Sequence, residues 1–133
     1  MKFWDDLDYI GVDAYYPLAK QAGASVEDLI EGWEGPKKQI EKVHDEFEKP
    51  VVFPEIGYEA LAGTAVRPYG GAEGPPDEGA QARAYQAAYV VWKDVDWFAG
   101  LYWWEWSATG EDDPYDPAGR PAEAVIKRNG GSR

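Results

Sequence analysis

Three short apolar runs punctuate the chain, and each gives way to a cluster of polar or aromatic residues. They are "LDYIGVDAYYPL" at 7–18, "PVVFPEIGY" at 50–58 and "WFAGLYWWEW" at 97–106. All three are rich in β-branched or aromatic residues and are bounded by Pro, Gly or charge, so they read as strands. None alternates cleanly between apolar and polar positions. Near-continuous apolar runs fit parallel strands covered on both faces better than a half-wet antiparallel sheet. The intervening segments carry helical periodicity. "SVEDLIEGW" opens with Ser25 and Asp28 at capping-box spacing and continues with Leu29, Ile30 and Trp33. Gly35-Pro36 breaks that helix, and Pro36 suits the first position of a second one, which carries Ile40, Val43 and Phe47 on one stripe. "LAGTAVRPYGGAEGPPDEG" is rich enough in Gly and Pro to be a long loop. "AQARAYQAAYVVWKDV" is helical again, "SATGEDDPYDPAGRP" is an acidic loop, and "AEAVIKR" is a short closing helix.

The order strand, helix pair, strand, helix, strand, helix implies parallel strands joined by crossovers, as in a doubly wound sheet or a (β/α)8 barrel. No Gly-rich phosphate turn follows any strand, so nucleotide binding has no support. Asp13, Tyr15 and Tyr16, then Glu55 and Tyr58, then Trp103, Trp104, Glu105 and Trp106 gather instead at the strands' C-terminal ends. In a barrel those ends form the active face, which favours the barrel reading.

Composition narrows the chemistry. With 133 residues the chain suits one small domain, and a formal net charge of −12 makes nucleic acid and anionic membrane surfaces poor partners. Cysteine is absent and His44 is the single histidine, which removes thiol chemistry and leaves a His-centred triad or metal site almost nothing to use. The acidic "GEDDPYD" run lacks the 12-residue ligand pattern of a calcium loop, so no metal or cofactor is expected. The segment "MKFWDDLDYIG" is not a signal peptide and no run reaches the length of a membrane span, which leaves localisation open.

In their order, "DYIGVDAYYPL", "KPVVFPEIGY", "ARAYQAAYVVW", "WFAGLYWWEWS" and "YDPAGRPAEAVI" resemble the C-terminal part of the glycoside hydrolase family 113 barrels. These are β-mannanases within the larger clan of retaining (β/α)8 glycosidases. The resemblance covers essentially the whole chain. It implies a partial TIM barrel: one incomplete domain over residues 1–133, in which the three strands are the sixth, seventh and eighth. It implies further that Glu55, in the "E-I-G-Y" element, is the catalytic nucleophile. Tyr15 or Tyr16 is then the tyrosine near it, and Trp103 or Trp104 floors the sugar site. Two departures stand out. The family's acid/base glutamate follows an asparagine, whereas the only asparagine here is Asn129, so the acid/base is expected to be missing from this chain. Pro54 precedes Glu55, where the family has a small polar residue.

Retaining glycoside hydrolysis uses two carboxyl groups flanking the scissile bond. Glu55 has the setting of a nucleophile, though a strand-end glutamate that merely meets solvent is the plain alternative. Glu105 is not expected to be the missing acid, because neighbouring strands place it on the same side as Glu55; it contacts substrate or supports the site. Tyr58 and the loop residue Arg67 are candidate substrate contacts, and Asp13 reads as structural. Trp33, Trp92 and Trp97 read as core, and His44 as a solvated surface residue. Three βα units cannot close a barrel, which leaves three possibilities. The chain is a fragment of a longer glycosidase acting on a β-linked mannan-type polysaccharide, a half-barrel that self-associates or takes an N-terminal partner, or a non-catalytic carbohydrate-binding remnant. The first asks least, and it predicts that the isolated chain is inactive on mannan.

Overall fold

The structure, a computed structural model, describes residues 8–109 and 112–129. Strand β1 (Ile10–Asp13), helices α1 (Val26–Gly32) and α2 (Glu34–Phe47), strand β2 (Val51–Ile56), helix α3 (Glu78–Trp92), strand β3 (Phe98–Trp103) and helix α4 (Pro121–Asn129) follow in the expected order. The strands form one parallel sheet in the order β1-β2-β3. Ser25 caps α1 in a complete capping box with Asp28, as its spacing predicts. Pro36 sits in the third position of α2 rather than the first, because Trp33 ends α1 and starts α2 with no intervening loop. At that depth in the first turn its missing N–H has no intrahelical partner to lose.

One face of the sheet carries the core. Ile10, Val51, Phe53 and Ile56 are buried there with Leu29, Trp33, Ile40, Ala84, Tyr85, Ala88 and Trp92 from the helices. Phe53 stacks on Trp33 at 6.1 Å and meets Trp92 edge-on at 5.0 Å. Alanines at 80, 84, 87 and 88 keep α3 slim, which lets α1 and α4 pack closely against it. Trp33 and Trp92 are core residues, as expected. The other face differs from the sequence-based expectation of two covered faces. Among the described residues it is open: Gly11, Asp13 and Pro54 are exposed, and Tyr102 is 58% exposed.

His44 also departs from expectation. It is half-buried, its Nδ1 lies 2.8 Å from the Lys49 carbonyl oxygen, and its ring stacks on Trp97 at 4.4 Å. Because a carbonyl only accepts, Nδ1 carries the proton. The histidine thus ties the end of α2 to the entries of β2 and β3. His44→Ala should cost about 1–2 kcal/mol, the hydrogen bond plus the stacked ring, read as a lower urea midpoint at unchanged slope.

Candidate active site

A parallel sheet brings all its strand ends to one edge, so the residues after β1, β2 and β3 must meet. Asp13 is the register partner of Glu55, and Ile56 that of Trp103. The backbone continues to pair just past the strands: Ala14 N–H donates to the Glu55 carbonyl at 2.8 Å, and Trp104 N–H to that of Ile56 at 2.7 Å. The backbone at the end of β2 is therefore anchored on both sides.

Of the adjacent tyrosines, Tyr15 is the one that reaches Glu55. Burial pushes its phenol well above the usual range, and the nearby carboxylate of Glu55 pushes it further. The proton stays on Tyr15, so a neutral phenol faces the charge of Glu55. Tyr16 turns the other way and meets Trp33 edge-on at 5.9 Å. The two tryptophans separate similarly. Trp103 is buried, stacks on Tyr85 at 3.7 Å and donates its indole N–H to the Tyr89 hydroxyl at 2.9 Å. Trp104 is 42% exposed at the mouth, and the peptide joining it to Glu105 is cis. Tyr58 is fully buried against Tyr85 and Trp103, in the helical layer and away from the mouth. The Asp113 carboxyl beside Glu105, ahead of burial and the charge of Asp116, pushes the Glu105 pKa above its usual value. Arg67 lies exposed on the loop after β2, its guanidinium 5.7 Å from the Tyr69 ring. The structure thus gathers Tyr15, Glu55 and Trp104, with Asp13 alongside. It leaves Tyr16, Tyr58 and Trp103 in the packing.

Three residues that sequence reasoning did not single out support this mouth. Tyr115 donates its hydroxyl to the Pro68 carbonyl at 2.6 Å, and its ring lies against Gly57. Burial first, then the charges of Glu59 and Asp113, raise its phenol to about 12. Gln81 is fully buried on α3, and its side-chain nitrogen reaches the carbonyls of Tyr58, Pro114 and Tyr115 at 3.0, 3.3 and 3.3 Å. The buried carboxylate of Glu59 accepts the Ala72 N–H at 3.0 Å, closing the base of the long loop. Among the described residues no group of three His, Cys, Asp or Glu is placed to hold a metal ion, and no helix is long and apolar enough to cross a membrane.

Tyrosines dominate the alkaline behaviour. Tyr15, Tyr16, Tyr58, Tyr85, Tyr89 and Tyr115 are all pushed upward, each first by burial. Unfolded phenols ionise near pH 10, whereas the folded ones hold their protons to higher pH. This stabilisation is complete below about pH 10 and is lost as pH climbs through the folded values, near 12 for Tyr115. The denaturant midpoint should therefore fall steeply from about pH 10 to about pH 12, with tyrosinate absorbance rising in step with unfolding. Full tyrosine ionisation in a still-folded chain would contradict it.

The model of Glycoside Hydrolase Family 113 matches residues 1–119. Two solved structures of GH113 β-1,4-mannanase, one of them a complex, align with all of this chain at TM-score 0.82 and 30% and 31% identity. A third, GH113 β-mannanase AaManA from Alicyclobacillus acidocaldarius in complex with ManMIm, aligns with 95% of the chain at TM-score 0.76 and 32% identity. The chain spans 42% of the length of the first two and 39% of the third. No curated protein matches it. The three-stranded sheet and its four helices therefore correspond to about two-fifths of a family 113 TIM barrel.

Proposed function

The chain belongs to glycoside hydrolase family 113, and we propose that it forms part of a retaining hydrolase of β-linked mannan in which Glu55 is the nucleophile. The observation that carries this reading is the Glu55 carboxylate at the open C-terminal end of β2, with the Tyr15 phenol near enough to feel its charge and the 42% exposed Trp104 at the end of the neighbouring strand. Similarity to solved β-mannanases supports the substrate class. Residues 1–133 are one incomplete TIM-barrel domain, β1 to β3 serving as the sixth to eighth strands. The barrel strands that this sheet lacks bring the acid/base, from the same polypeptide or from a partner half-barrel.

The chemistry divides accordingly. Glu55 attacks the anomeric carbon of the mannosyl unit as the glycosidic oxygen leaves with a proton from the acid/base. A glycosyl ester on Glu55 results, and water, deprotonated by the same acid/base residue, releases the sugar with its original configuration. Tyr15 holds the carboxylate in its attacking orientation, then shifts toward whichever oxygen carries charge. The Trp104 face offers a platform for the sugar's C–H surface.

A direct test supplies the remaining strands by co-expressing the first five βα units of a family 113 β-mannanase. The completed barrel is then assayed on β-1,4-mannan, with the first-formed anomer followed by NMR. Hydrolysis with the β-anomer released first is expected from the completed barrel, and none from the 133-residue chain alone. Release of the α-anomer, or binding of mannan without turnover by a folded completed barrel, would reject the nucleophile assignment.

A further inference from the structure

The loop after β2 is moored at two places. Both Leu18 and Ala19, in the loop leaving β1, donate their N–H groups to the Ala65 carbonyl at 2.8 and 3.2 Å. The Tyr115 hydroxyl, in the segment leaving β3, donates to the Pro68 carbonyl. Since β2 lies between β1 and β3, residues 65–68, tied to the segments leaving both, span its C-terminal end as a strap. The mooring at Tyr115 is itself stiff. Its backbone oxygen is reached by buried Gln81, its N–H donates to the Asp113 carboxylate at 2.8 Å, and the preceding Pro114 carbonyl accepts the Ala60 N–H at 2.8 Å. The strap combines buried anchors with exposed side chains. Ala65 and Pro68 are buried, whereas Arg67 is exposed and Tyr69 is 60% exposed, their guanidinium and ring paired. Arginine and an aromatic ring spent on solvent beside a glycan-cleaving mouth form a surface that donates to hydroxyls and covers C–H faces.

Resting on the mannan-hydrolase reading above, we propose that Tyr115 is a positioning residue that pins this strap, so that Arg67 and Tyr69 contact the polysaccharide beyond the sugar unit cleaved at Glu55. Tyr115 touches no reacting atom. It acts through the strap, and its contribution grows with substrate length.

Tyr115→Phe tests this cleanly, because it keeps the ring against Gly57 and removes only the hydroxyl. Two readouts are needed. The first is amide hydrogen exchange of residues 66–71 in the 133-residue chain, where Val66 and Arg67 donate to the Gly63 carbonyl at 3.0 and 3.1 Å and so start protected. Exchange there should quicken by about tenfold in the variant, with the helices unchanged. The second is kinetics of the completed barrel on mannotriose and mannohexaose. KM for the hexamer should rise by about threefold to tenfold at retained kcat, with a smaller change for the trimer. Arg67→Ala should reproduce the hexamer effect without quickening exchange at Val66. Unchanged exchange in Tyr115→Phe overturns the pin, and equal KM changes for the two substrates overturn the polysaccharide contact. If the unsubstituted barrel cleaves no mannan, the glycosidase reading falls and the substrate named here with it, while the exchange comparison still decides whether Tyr115 holds the strap.

Discussion

Glu55→Gln in the completed barrel is expected to lower kcat on β-1,4-mannan by roughly 10⁴-fold, equivalent to about 5 kcal/mol of barrier. The amide keeps the shape and the contact with Tyr15 but cannot form the ester that divides the reaction into two steps. Glu55→Ala carries a sharper signature. With the carboxylate gone, azide has room to attack the anomeric carbon from the vacated side, displacing the activated aglycone of a β-mannosyl substrate and leaving an α-mannosyl azide. A residue of purely structural importance shows no such rescue. Tyr15→Phe should cost less, about 10- to 100-fold, the worth of one hydrogen bond to a charged group. If Glu55→Gln retained more than a tenth of the activity, another group would have to be the nucleophile.

Much of this arrangement is legible in the sequence, for physical reasons that also mark where legibility ends. Strands and helices announce themselves locally: Ser25 and Asp28 form the capping box their spacing promises, and β1, β2 and β3 each fall inside their apolar runs. Glu55 stands out because a carboxylate closing an apolar strand has nowhere to go but the sheet's end. The pairs Tyr15/Tyr16 and Trp103/Trp104 could not be resolved that way. Alternation assigns faces only while the ladder is regular, and its register shifts between Gly11 and Asp13 and again between Phe53 and Ile56. Tyr58 looked like part of the site by proximity to Glu55, yet two residues of turn send it into the helical layer against Tyr85. Tyr115 and Gln81 carried no local signal at all. Their partners lie 47 residues away at Pro68, and 23 and 34 residues away at Tyr58 and Tyr115. His44, on a charged helix, reads as solvated until the fold brings Trp97 over it.

Gly57→Ala should damage catalysis far more than stability. A Cβ at Gly57 would collide with the Trp104 carbonyl oxygen and stand 3.2 Å from the Tyr115 ring. The first contact is with backbone, which cannot swing aside as a side chain tip does. The Trp104 carbonyl cannot retreat freely either, because its own N–H is bound to Ile56 at 2.7 Å. Relief therefore requires the exits of β2 and β3 to part by about 1 Å, a strain of the kind that costs about 1–3 kcal/mol in a packed interior. A displacement of that size between a nucleophile and the platform holding its sugar costs about 100-fold in rate. The expected outcome is a folded protein whose melting temperature falls by several degrees and whose kcat/KM on mannan falls about 100-fold. Amide exchange at residues 66–71 should rise as well, since the Tyr115 ring that moors the strap shares the same crowded contact. Activity within threefold of the unsubstituted barrel would show that Trp104 and Glu55 are positioned independently, and that the close approach at Gly57 serves packing alone.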